Sequence, residues 1–246
     1  MKIEGKLTLV TGGGRGLGLA IAEHLVDKGA KVIIVDKNKE LIQMLPEKIM
    51  GYQLDITKIG DVKKCVNKIT ENYGPIAILV NNAGNIFNEP FINFLDLDNM
   101  IHSYRNFKKV IKVNMDSVFI MTSAIVKNMI KERIEGVIVN ISSVCSKGNE
   151  GQTAYSAAKA GVNAMTVTWA KELGRIKIRC NAISPGFIST NSTFKALNSS
   201  KIKHIIDNTP LRKMGDPIDV AMAVSAVIEN DYINGAVLDV NGGLSI

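Results

Sequence analysis

Short runs of apolar residues recur along the chain, separated by segments of helical length. The runs are Leu7 to Val10, Val32 to Val35, Ile76 to Val80, Val137 to Ile141, Ile178 to Ile183 and Ala236 to Val240, with a weaker candidate at Met50 to Leu54. Most are continuous rather than alternating, which is typical of strands buried on both faces of a parallel sheet. The alternation of such runs with helical segments predicts a doubly wound α/β sheet.

Two long connections between these elements fit the pattern poorly, the first of mixed composition and the second polar with scattered apolar residues. They cover Asn85 to Asn106 and Phe187 to Pro210. Connections of this length are usually binding loops or lids, and surface elaboration is the alternative. No proline-rich or glycine-serine linker divides the chain. Because the site residues described below are spread from Thr11 to Thr190, we predict one domain that spans residues 1–246.

Composition excludes several classes of protein. Hydrophobic residues make up 46% of the chain and charged residues 22%, which is typical of a globular protein and excludes general disorder. No apolar run approaches the ~18 residues of a membrane span, and Met1 to Val10 lacks the long apolar stretch of a signal peptide. We therefore expect a soluble, cytoplasmic protein with no membrane partner.

Charge and cysteine content limit the partners further. The net charge of +7 favours anions such as nucleotides, coenzyme A or an acidic carrier protein. The basic residues are dispersed and aromatic residues make up only 5%, so no nucleic-acid surface is expected. Cys65, Cys145 and Cys180 are widely spaced and form no CxxC pair, so we predict neither a disulfide framework nor a metal site.

A glycine-rich turn follows the first predicted strand and opens the first predicted helix. Five glycines occupy the seven positions from Gly12 to Gly18. Glycine allows a tight turn and close approach of a ligand, and the helix start presents free N–H groups to a phosphate. This context is what a dinucleotide site requires, so we predict cofactor contacts at Gly12, Gly14, Arg15, Gly16, Leu17 and Gly18.

An acidic residue, Asp36, ends the second predicted strand. An acid at this place can accept hydrogen bonds from the adenosine ribose and repels the additional phosphate of NADP. The sequence therefore favours NAD(H). Arg15 and Lys37 could pair with that phosphate, which keeps NADP(H) as the alternative, and both are predicted to contact the cofactor.

Tyr155 and Lys159 form a candidate catalytic pair. They are four residues apart in the predicted helix from Gln152 to Leu173, so both side chains lie on one face. A nearby ammonium stabilises tyrosinate, and Lys159 is expected to lower the phenol pKa from ~10. The tyrosine then becomes a usable general acid or base. The spacing alone is common, so the prediction depends on the motifs around it.

Further motifs accompany this pair. Ser143 follows the strand predicted to end at Ile141, where a parallel strand opens onto the ligand crevice, and Asn114 lies in another predicted helix. These residues resemble the short-chain dehydrogenase/reductase family, together with the glycine-rich turn, Asn81-Asn82-Ala83-Gly84, Tyr155-Ser156-Ala157-Ala158-Lys159 and Pro185-Gly186. The resemblance extends from about Lys6 to Gly243, in the family's order.

The resemblance implies a fold and a set of roles. The fold is a single Rossmann-type domain with a seven-stranded parallel sheet, assembled as a homotetramer. Tyr155 becomes the proton donor to a ketone or the acceptor from an alcohol, while Lys159 lowers its pKa and holds the nicotinamide ribose. Ser143 is assigned to the substrate oxygen and Asn114 to a water of the proton relay. Cofactor contacts are further implied for Asp55, Ile56, Asn82, Ala83, Gly84, Pro185, Gly186, Ile188 and Thr190.

One spacing departs from the family pattern. The serine usually lies thirteen positions before the tyrosine, whereas Ser143 lies twelve before Tyr155 and Ser142 lies thirteen before it. We assign the catalytic role to Ser143 because its offset from Asn140, at the strand end, is the usual one. A residue missing from the loop is easier to accommodate than a shift in the strand. Ser142 stays as the alternative.

Two subgroups are the most similar in sequence pattern. The stretch Gly151 to Gly161 resembles 3-oxoacyl-[acyl-carrier-protein] reductases and acetoacetyl-CoA reductases. The long segment before Asn114, Asp36 and the C-terminal region from Ile228 resemble NAD-dependent type-2 3-hydroxyacyl-CoA dehydrogenases. Both act at C3 of an acyl thioester, which is therefore the predicted substrate, either free or carrier-bound.

Other readings remain open at this point. A sugar or polyol dehydrogenase is an alternative on the same scaffold, and a dinucleotide-binding sensor without chemistry is a weaker one because all four catalytic residues are present. Arg133 and Lys171 are candidates for docking coenzyme A or a carrier near the mouth of the site, although both could be ordinary solvated helix charges.

Overall fold

The chain folds around a seven-stranded parallel sheet with the order β3-β2-β1-β4-β5-β6-β7. The computed structural model describes residues 1–98 and 100–245. The strands are β1 (Leu7–Thr11), β2 (Lys31–Asp36), β3 (Ile49–Gln53), β4 (Ile78–Asn81), β5 (Gly136–Ile141), β6 (Ile178–Pro185) and β7 (Val237–Val240). The prediction of a doubly wound, seven-stranded α/β fold is confirmed, including the weak strand candidate.

Helices cover both faces of this sheet. They are α1 (Gly16–Asp27), α2 (Lys39–Gln43), α3 (Ile59–Tyr73), α4 (Tyr104–Ile111), α5 (Ser117–Lys131), α6 (Thr153–Leu173), α7 (Asn191–Ala196), α8 (Ser199–Asn208) and α9 (Pro217–Glu229). No helix within the described residues has the length and apolar content needed to cross a membrane.

The continuous apolar strands supply two cores at once. Successive side chains of a strand point to opposite faces, so Val10 of β1 packs with α1 and α9 while Leu9 packs with α3 and α5. In the same way Ile34 and Ile33 of β2 belong to different cores. This is why the strands read as unbroken hydrophobic runs rather than as alternating patterns.

The strand order reverses between β1 and β4. From β1 the chain adds strands outward to β3, and from β4 it adds strands outward on the other side to β7. The carboxyl ends of β1 and β4 therefore lie beside a crevice of the kind in which doubly wound folds bind ligands. The glycine-rich turn follows β1, Asn82 to Gly84 follow β4, and Ser143 follows β5, so the topology brings all three to one edge.

Both long connections contain more regular structure than their composition suggests. Residues 85–103 include an antiparallel bridge between Ile92 and Ile101, and α4 then begins at Tyr104. The connection after β6 contains α7 and α8, each with a side-chain cap: Thr190 accepts a hydrogen bond from Thr193 N, and Asn198 accepts one from Lys201 N. Polar capping residues explain why this region looked like an irregular loop.

Candidate active site

The glycine-rich turn brings β1 and β4 into contact. Gly12 has a φ of +62°, and a Cβ on it would lie 2.7 Å from the Cα of Ala83. A Cβ on Gly18 would lie 2.5 Å from the carbonyl oxygen of Gly12 and would also meet the Asn82 amide. Any side chain at these positions would force the backbone apart, so glycine is required by packing as well as by conformation.

Thr11, at the end of β1, locks the two strands together. Its hydroxyl oxygen accepts hydrogen bonds from the backbone N of Asn82 and of Ala83, both at 3.0 Å. The Asn82 side chain donates back to the carbonyl oxygens of Thr11 (3.1 Å) and Gly12 (2.9 Å). The predicted cofactor residues Asn82 and Ala83 are thus held directly against the turn.

The start of α1 and the end of β2 fit a dinucleotide. Among the described residues no side chain caps the N-terminus of α1, which leaves its first N–H groups for a phosphate. Asp36 Oδ2 accepts a hydrogen bond from Gly14 N (3.3 Å), and Oδ1 accepts one from Asn38 N (3.0 Å). The carboxylate therefore borders the turn. Arg15 and Lys37 are both exposed beside it, and Leu17 packs into the core behind it.

The adenine-side residues follow β3. Asp55 is exposed, and its Oδ1 accepts hydrogen bonds from Thr57 Oγ1 (2.8 Å) and Thr57 N (3.0 Å). These bonds hold the pKa of the Asp55 carboxyl below its usual value. Ile56 packs against the core formed with α3 and α5. The carboxylate is therefore fixed in its charged form at the carboxyl edge of the sheet.

The residues predicted to border the nicotinamide follow β6. Pro185 ends that strand, and a Cβ on Gly186 would lie 2.9 Å from the Cα of Asn241, so the C-terminal segment packs closely there. Ile188 is buried in the core and bridges to Gly215. A Cβ on Gly16 would lie 4.0 Å from Thr190 Cβ, which places the start of α7 beside the glycine-rich turn.

Tyr155 and Ser143 meet in a buried cluster. Tyr155 packs with Val110, Val144, Cys145 and Ala154, and the neighbouring Ser143 hydroxyl acts to lower the pKa of its phenol. Ser143 Oγ also accepts a hydrogen bond from Cys145 N (3.2 Å). The serine hydroxyl is therefore held in place by the backbone of the short 3₁₀ turn that follows β5.

Ser142 has a different environment. Its hydroxyl donates to the carbonyl oxygen of Lys159 at 3.4 Å and is buried between β5 and α6. This contact joins a strand to a helix rather than pointing at the phenol. Of the two serines left open by the sequence spacing, Ser143 is the one whose hydroxyl affects the pKa of Tyr155.

Lys159 is buried beneath the tyrosine ring. Its Nζ lies 5.7 Å from the ring centroid of Tyr155 and donates a hydrogen bond to the carbonyl oxygen of Ile141 at 2.7 Å. A Cβ on Gly84 would lie 3.7 Å from the same Nζ. The lysine thus connects the ends of β4 and β5 with the helix that carries Tyr155.

The tyrosine pKa differs from the sequence expectation. Burial raises the pKa of Tyr155 to about 12, and the hydrogen bond from Ser143 opposes that rise only in part. Burial also lowers the pKa of Lys159 to about 8. The Lys159 ammonium donates its hydrogen bond to a backbone carbonyl, and burial is the largest influence on the pKa of Tyr155. Tyr155 is therefore a protonated acid at neutral pH.

The buried lysine predicts a pH-dependent stability difference. An unfolded lysine titrates near 10.5 and the folded one near 8, so protonation penalises the folded state below pH 8 and the penalty disappears as pH rises. Between pH 7.5 and 9.5 the free energy of unfolding of wild type should rise relative to Lys159→Met by about 1 to 2 kcal/mol. Urea unfolding of both proteins at several pH values measures this.

The difference between the two proteins removes the effect of other groups, such as the cysteine thiols, which titrate in this range when the chain is unfolded. Lys63→Met, at an exposed position of α3, serves as the control and should follow wild type. Parallel curves for wild type and Lys159→Met would contradict the buried, partly neutral lysine.

Asn114 lies in a single π-helical turn, Lys112–Asp116, between α4 and α5. Its Oδ1 accepts a hydrogen bond from Asn85 N (3.1 Å), and its Nδ2 donates to Asn85 O and Val110 O, both at 3.0 Å. π-Helical turns are rare and are frequent at functional sites. The sequence predicted a helix at this place. It predicted neither the π-helical turn nor the hydrogen bonds between Asn114 and Asn85.

A buried amide network supports the floor of the site, which the sequence analysis missed. Asn81 Nδ2 donates to Asn140 Oδ1 (2.8 Å) and Thr122 Oγ1 (3.0 Å), and Asn140 Nδ2 donates to Thr166 Oγ1 (2.8 Å). These residues join β4, β5, α5 and α6. Asn81 and Asn140 are the polar interruptions in two apolar strands, which is the sequence signal that could have identified them.

The two candidate docking residues lie away from Tyr155. Arg133 precedes β5, and Lys171 follows Tyr155 by sixteen residues, about 24 Å along α6. Both are exposed at the amino edge of the sheet, whereas Tyr155 is at the carboxyl edge. The prediction that Arg133 and Lys171 lie at the mouth of the active site of their own chain is therefore wrong.

The assembled site can transfer a proton from a buried phenol to an oxygen held by Ser143. Within residues 1–98 and 100–245 no group of three His, Cys, Asp or Glu side chains could hold a metal ion. The buried phenol and the lysine beneath its ring make acid–base catalysis available beside the dinucleotide crevice.

Comparison with known proteins agrees with this geometry. A family profile described as short chain dehydrogenase matches residues 6–201. The chain is 39% identical to the 3-oxoacyl-[acyl-carrier-protein] reductase FabG of Thermotoga maritima, covering 100% of both chains. It is 37% identical to the protein of the same name from Vibrio harveyi, covering 99% of each. A (3R)-3-hydroxyacyl-CoA dehydrogenase from Canis lupus familiaris is 34% identical, covering 99% of this chain and 98% of that one.

Proposed function

Because the chain belongs to the short-chain dehydrogenase family, an oxidoreductase family that uses nicotinamide dinucleotides, we propose that it reduces the C3 ketone of an acyl thioester. The observation that carries the reaction is the burial of Ser143, Tyr155 and Lys159 together at the carboxyl edge of the sheet, with Lys159 Nζ 5.7 Å from the ring centroid of Tyr155. The substrate class rests on the full-length similarity to 3-oxoacyl-[acyl-carrier-protein] reductases. We also propose that residues 1–246 form one domain, since all seven strands join one sheet.

The proposed mechanism begins with binding of the dinucleotide. The turn from Gly12 to Gly18 and the start of α1 would hold its phosphates, Asp36 its adenosine ribose and Asp55 its adenine. Asn82, Ala83 and Gly84 would lie along the adenosine ribose, and the nicotinamide would be bordered by Pro185, Gly186, Ile188 and Thr190. When bound, the nicotinamide supplies the hydride that reduces the ketone carbon.

The chain's own residues then provide the proton. Ser143 donates a hydrogen bond to the ketone oxygen and positions it against the phenol. Tyr155 transfers its proton to that oxygen as negative charge develops, which its pKa of about 12 permits because the resulting alkoxide is a far stronger base. Lys159 stabilises the tyrosinate that forms, and Asn114 supports the path by which the phenol regains a proton. The direction proposed is reduction, because Tyr155 rests in the protonated state.

For the cofactor we propose a preference for NAD(H). The Asp36 carboxylate borders the turn and carries a negative charge where NADP would place another. Arg15 and Lys37 are the groups through which NADP(H) could still bind.

Oxidation of a 3-hydroxyacyl-CoA is the second candidate. The similarity to the canine (3R)-3-hydroxyacyl-CoA dehydrogenase favours it, and the same four residues would run the reaction in reverse. Tyr155 would then act as a base, which requires loss of its proton first.

One panel of initial rates tests the proposal. We expect kcat/KM with 3-oxoacyl thioesters to exceed that with sugars and polyols by at least about a hundredfold, and kcat/KM with NADH to exceed that with NADPH. Acetoacetyl-CoA, a carrier-bound 3-oxoacyl substrate, 3-hydroxybutyryl-CoA and several polyols form the panel. Activity confined to a polyol would refute the thioester assignment, and equal or better rates with NADPH would refute the cofactor preference.

A homotetramer in the cytoplasm remains a prediction. Two surfaces support assembly: Phe119 of α5, which is exposed beside the partly buried Trp169 of α6 with ring centroids 6.3 Å apart, and the edge strand β7, whose Val237 and Leu238 are exposed. Exposed apolar side chains on a helix and on an unpaired edge are typical of subunit contacts.

A further inference from the structure

A short segment, residues 84–89, leads away from the catalytic centre, and we call it the bridging segment. A Cβ on its first residue, Gly84, would lie 2.6 Å from Asn114 Oδ1 and 3.7 Å from Lys159 Nζ. The next residue, Asn85, donates its backbone N–H to Asn114 Oδ1 at 3.1 Å and accepts a hydrogen bond from Asn114 Nδ2 at 3.0 Å. The bridging segment therefore starts in contact with two of the four predicted catalytic residues.

The far end of the bridging segment is joined to the loop that precedes Tyr155. The backbone N of Glu89 donates to Gly151 O at 2.8 Å, and Gln152 Nε2 donates to Asn88 Oδ1 at 2.7 Å. Gln152 is the residue before α6, and its side chain does not cap that helix. The side chain at the capping position is instead used to join the start of α6 to the bridging segment.

The remaining groups of Glu89 join the bridging segment to α4. Its Oε1 accepts a hydrogen bond from Ser103 N (3.1 Å), and its Oε2 accepts one from Asn106 Nδ2 (3.2 Å). A carboxylate is also favoured at this place by the positive end of the helix dipole. The Glu89 carbonyl oxygen accepts a hydrogen bond from His102 Nδ1 at 3.0 Å. Glu89 is thus held through its backbone N–H, its carbonyl oxygen and both carboxylate oxygens.

The two elements joined by Glu89 carry two groups of the proposed mechanism. The helix α4 continues directly into the π-helical turn that holds Asn114. The helix α6 begins at Thr153 and carries Tyr155 in its first turn. Glu89 is therefore linked to both groups through other residues, and a change in its side chain would alter their relative placement.

We propose that Glu89 is a positioning residue for ketone reduction, which sets the placement of Asn114 against Tyr155 by joining α4 to the start of α6. The proposal rests on the proposed function. A displacement of about 1 Å in a positioned group can lower a rate about a hundredfold, even where the displaced residue is remote from the reacting atoms. The length of the side chain, which lets the carboxylate reach both donors, is what this role requires.

Three substitutions at position 89 separate length from charge. Glu89→Gln keeps the length and the acceptor for Ser103 N, and its amide can donate to Asn106 Oδ1 once that side chain turns over. We expect its kcat to stay within about threefold of wild type. Glu89→Asp keeps the charge but is one methylene shorter, and Glu89→Ala removes both acceptors. Both should lower kcat at least about tenfold.

The rates are measured with NADH and acetoacetyl-CoA, or with whichever ketone of the rate panel wild type reduces. Values are expressed per NADH-binding site, so that misfolded protein does not count. For Glu89→Asp and Glu89→Ala, KM and the Kd for NADH should stay within about twofold of wild type, because the lost alignment matters in the transition state. If Glu89→Ala binds no NADH, the Asp and Gln variants still provide the comparison.

Asn234→Ala is the matched control, because Asn234 also joins separate elements through its side chain. Its Oδ1 accepts a hydrogen bond from Cys180 N (3.0 Å), and its Nδ2 donates to Ala170 O (2.9 Å). Ala170 follows Tyr155 by fifteen residues, about 22 Å along α6. This variant should unfold at lower urea concentration than wild type and keep the wild-type kcat.

Several results would overturn the inference. They are a wild-type kcat in Glu89→Ala, an equal loss of kcat in Asn234→Ala, activity kept by Asp but lost with Gln, or a raised KM with unchanged kcat. In each case wild type still reduces its ketone and the proposed chemistry stands. A wild type that reduces no ketone would refute the proposed function and this inference together. A wild type that reduces only a ketone other than a thioester would refute the thioester assignment, and the variants would still test Glu89.

Discussion

Tyr155→Phe should lower kcat for ketone reduction by about a thousandfold while leaving NADH binding within about twofold of wild type. The substitution removes only the phenol oxygen, and with it the proton that a developing alkoxide requires; positioned acids of this kind contribute about 10² to 10⁴ in rate. The ring still packs with Val110 and Ala154, so the fold is retained. Initial rates with acetoacetyl-CoA and a fluorescence titration with NADH measure the two effects.

Tyr232→Phe is the matched control, because this tyrosine is 99% exposed and should give wild-type rates. The paired serines provide an internal comparison, since Ser143→Ala should lose more kcat than Ser142→Ala. Unchanged activity in Tyr155→Phe would refute the acid–base mechanism, and it would equally refute the assignment of this edge as the active site.

Gly18→Ala should weaken NADH binding by roughly a hundredfold and destabilise the fold by about 1 to 3 kcal/mol. The added Cβ would lie 2.5 Å from Gly12 O and 2.9 Å from Gly13 Cα, so the turn must move. A displacement of about 1 Å in a positioned binding loop is enough for a loss of this size. The same shift would strain the Asn82 contacts to β1. An NADH titration and urea unfolding measure both effects.

Gly60→Ala is the control: it tests whether replacing any glycine at the start of a helix by alanine weakens NADH binding. Gly60 lies in the first turn of α3 with no neighbouring atom within 4 Å of its would-be Cβ. Alanine there should leave NADH binding unchanged and raise stability by up to about 1 kcal/mol. Similar affinities for Gly18→Ala and wild type would mean that the glycine-rich turn does not hold the cofactor.

The fold was predictable because its signals are local. Unbroken apolar strands such as Val32 to Val35 and Val137 to Ile141 indicate burial on both faces, and that implies a parallel sheet with helices on each side. The order of the sequence motifs along the chain then indicated which strand ends carry the cofactor and catalytic residues. The ends of elements were less accurate: β6 continues to Pro185, and α7 and α8 occur where polar residues suggested a loop.

The candidate site was predictable in its residues but not in their interactions. Ser143, Tyr155 and Lys159 meet as expected, yet the pKa of Tyr155 moves opposite to the predicted direction, because the degree of burial cannot be read from a spacing of four residues. The bond from Lys159 to Ile141 O joins two segments eighteen residues apart. Every residue has a backbone carbonyl, so the sequence does not indicate which one accepts this hydrogen bond.

Tertiary position also explains the two misplaced charges. Arg133 and Lys171 are basic residues on plausible helices, but the direction in which α6 runs carries Lys171 away from Tyr155. The helix α4 begins at Tyr104, inside the last three residues of the connection predicted from Asn85 to Asn106.

The lysine's acceptor has an evolutionary consequence. Lys159 is anchored by the carbonyl oxygen of residue 141, and an oxygen of the main chain is encoded by no particular codon. Point mutations at position 141 can exchange one apolar side chain for another without deleting the anchor. A lineage can therefore drift in the residues that line this part of the sheet while the lysine keeps its place, provided that β5 itself is maintained.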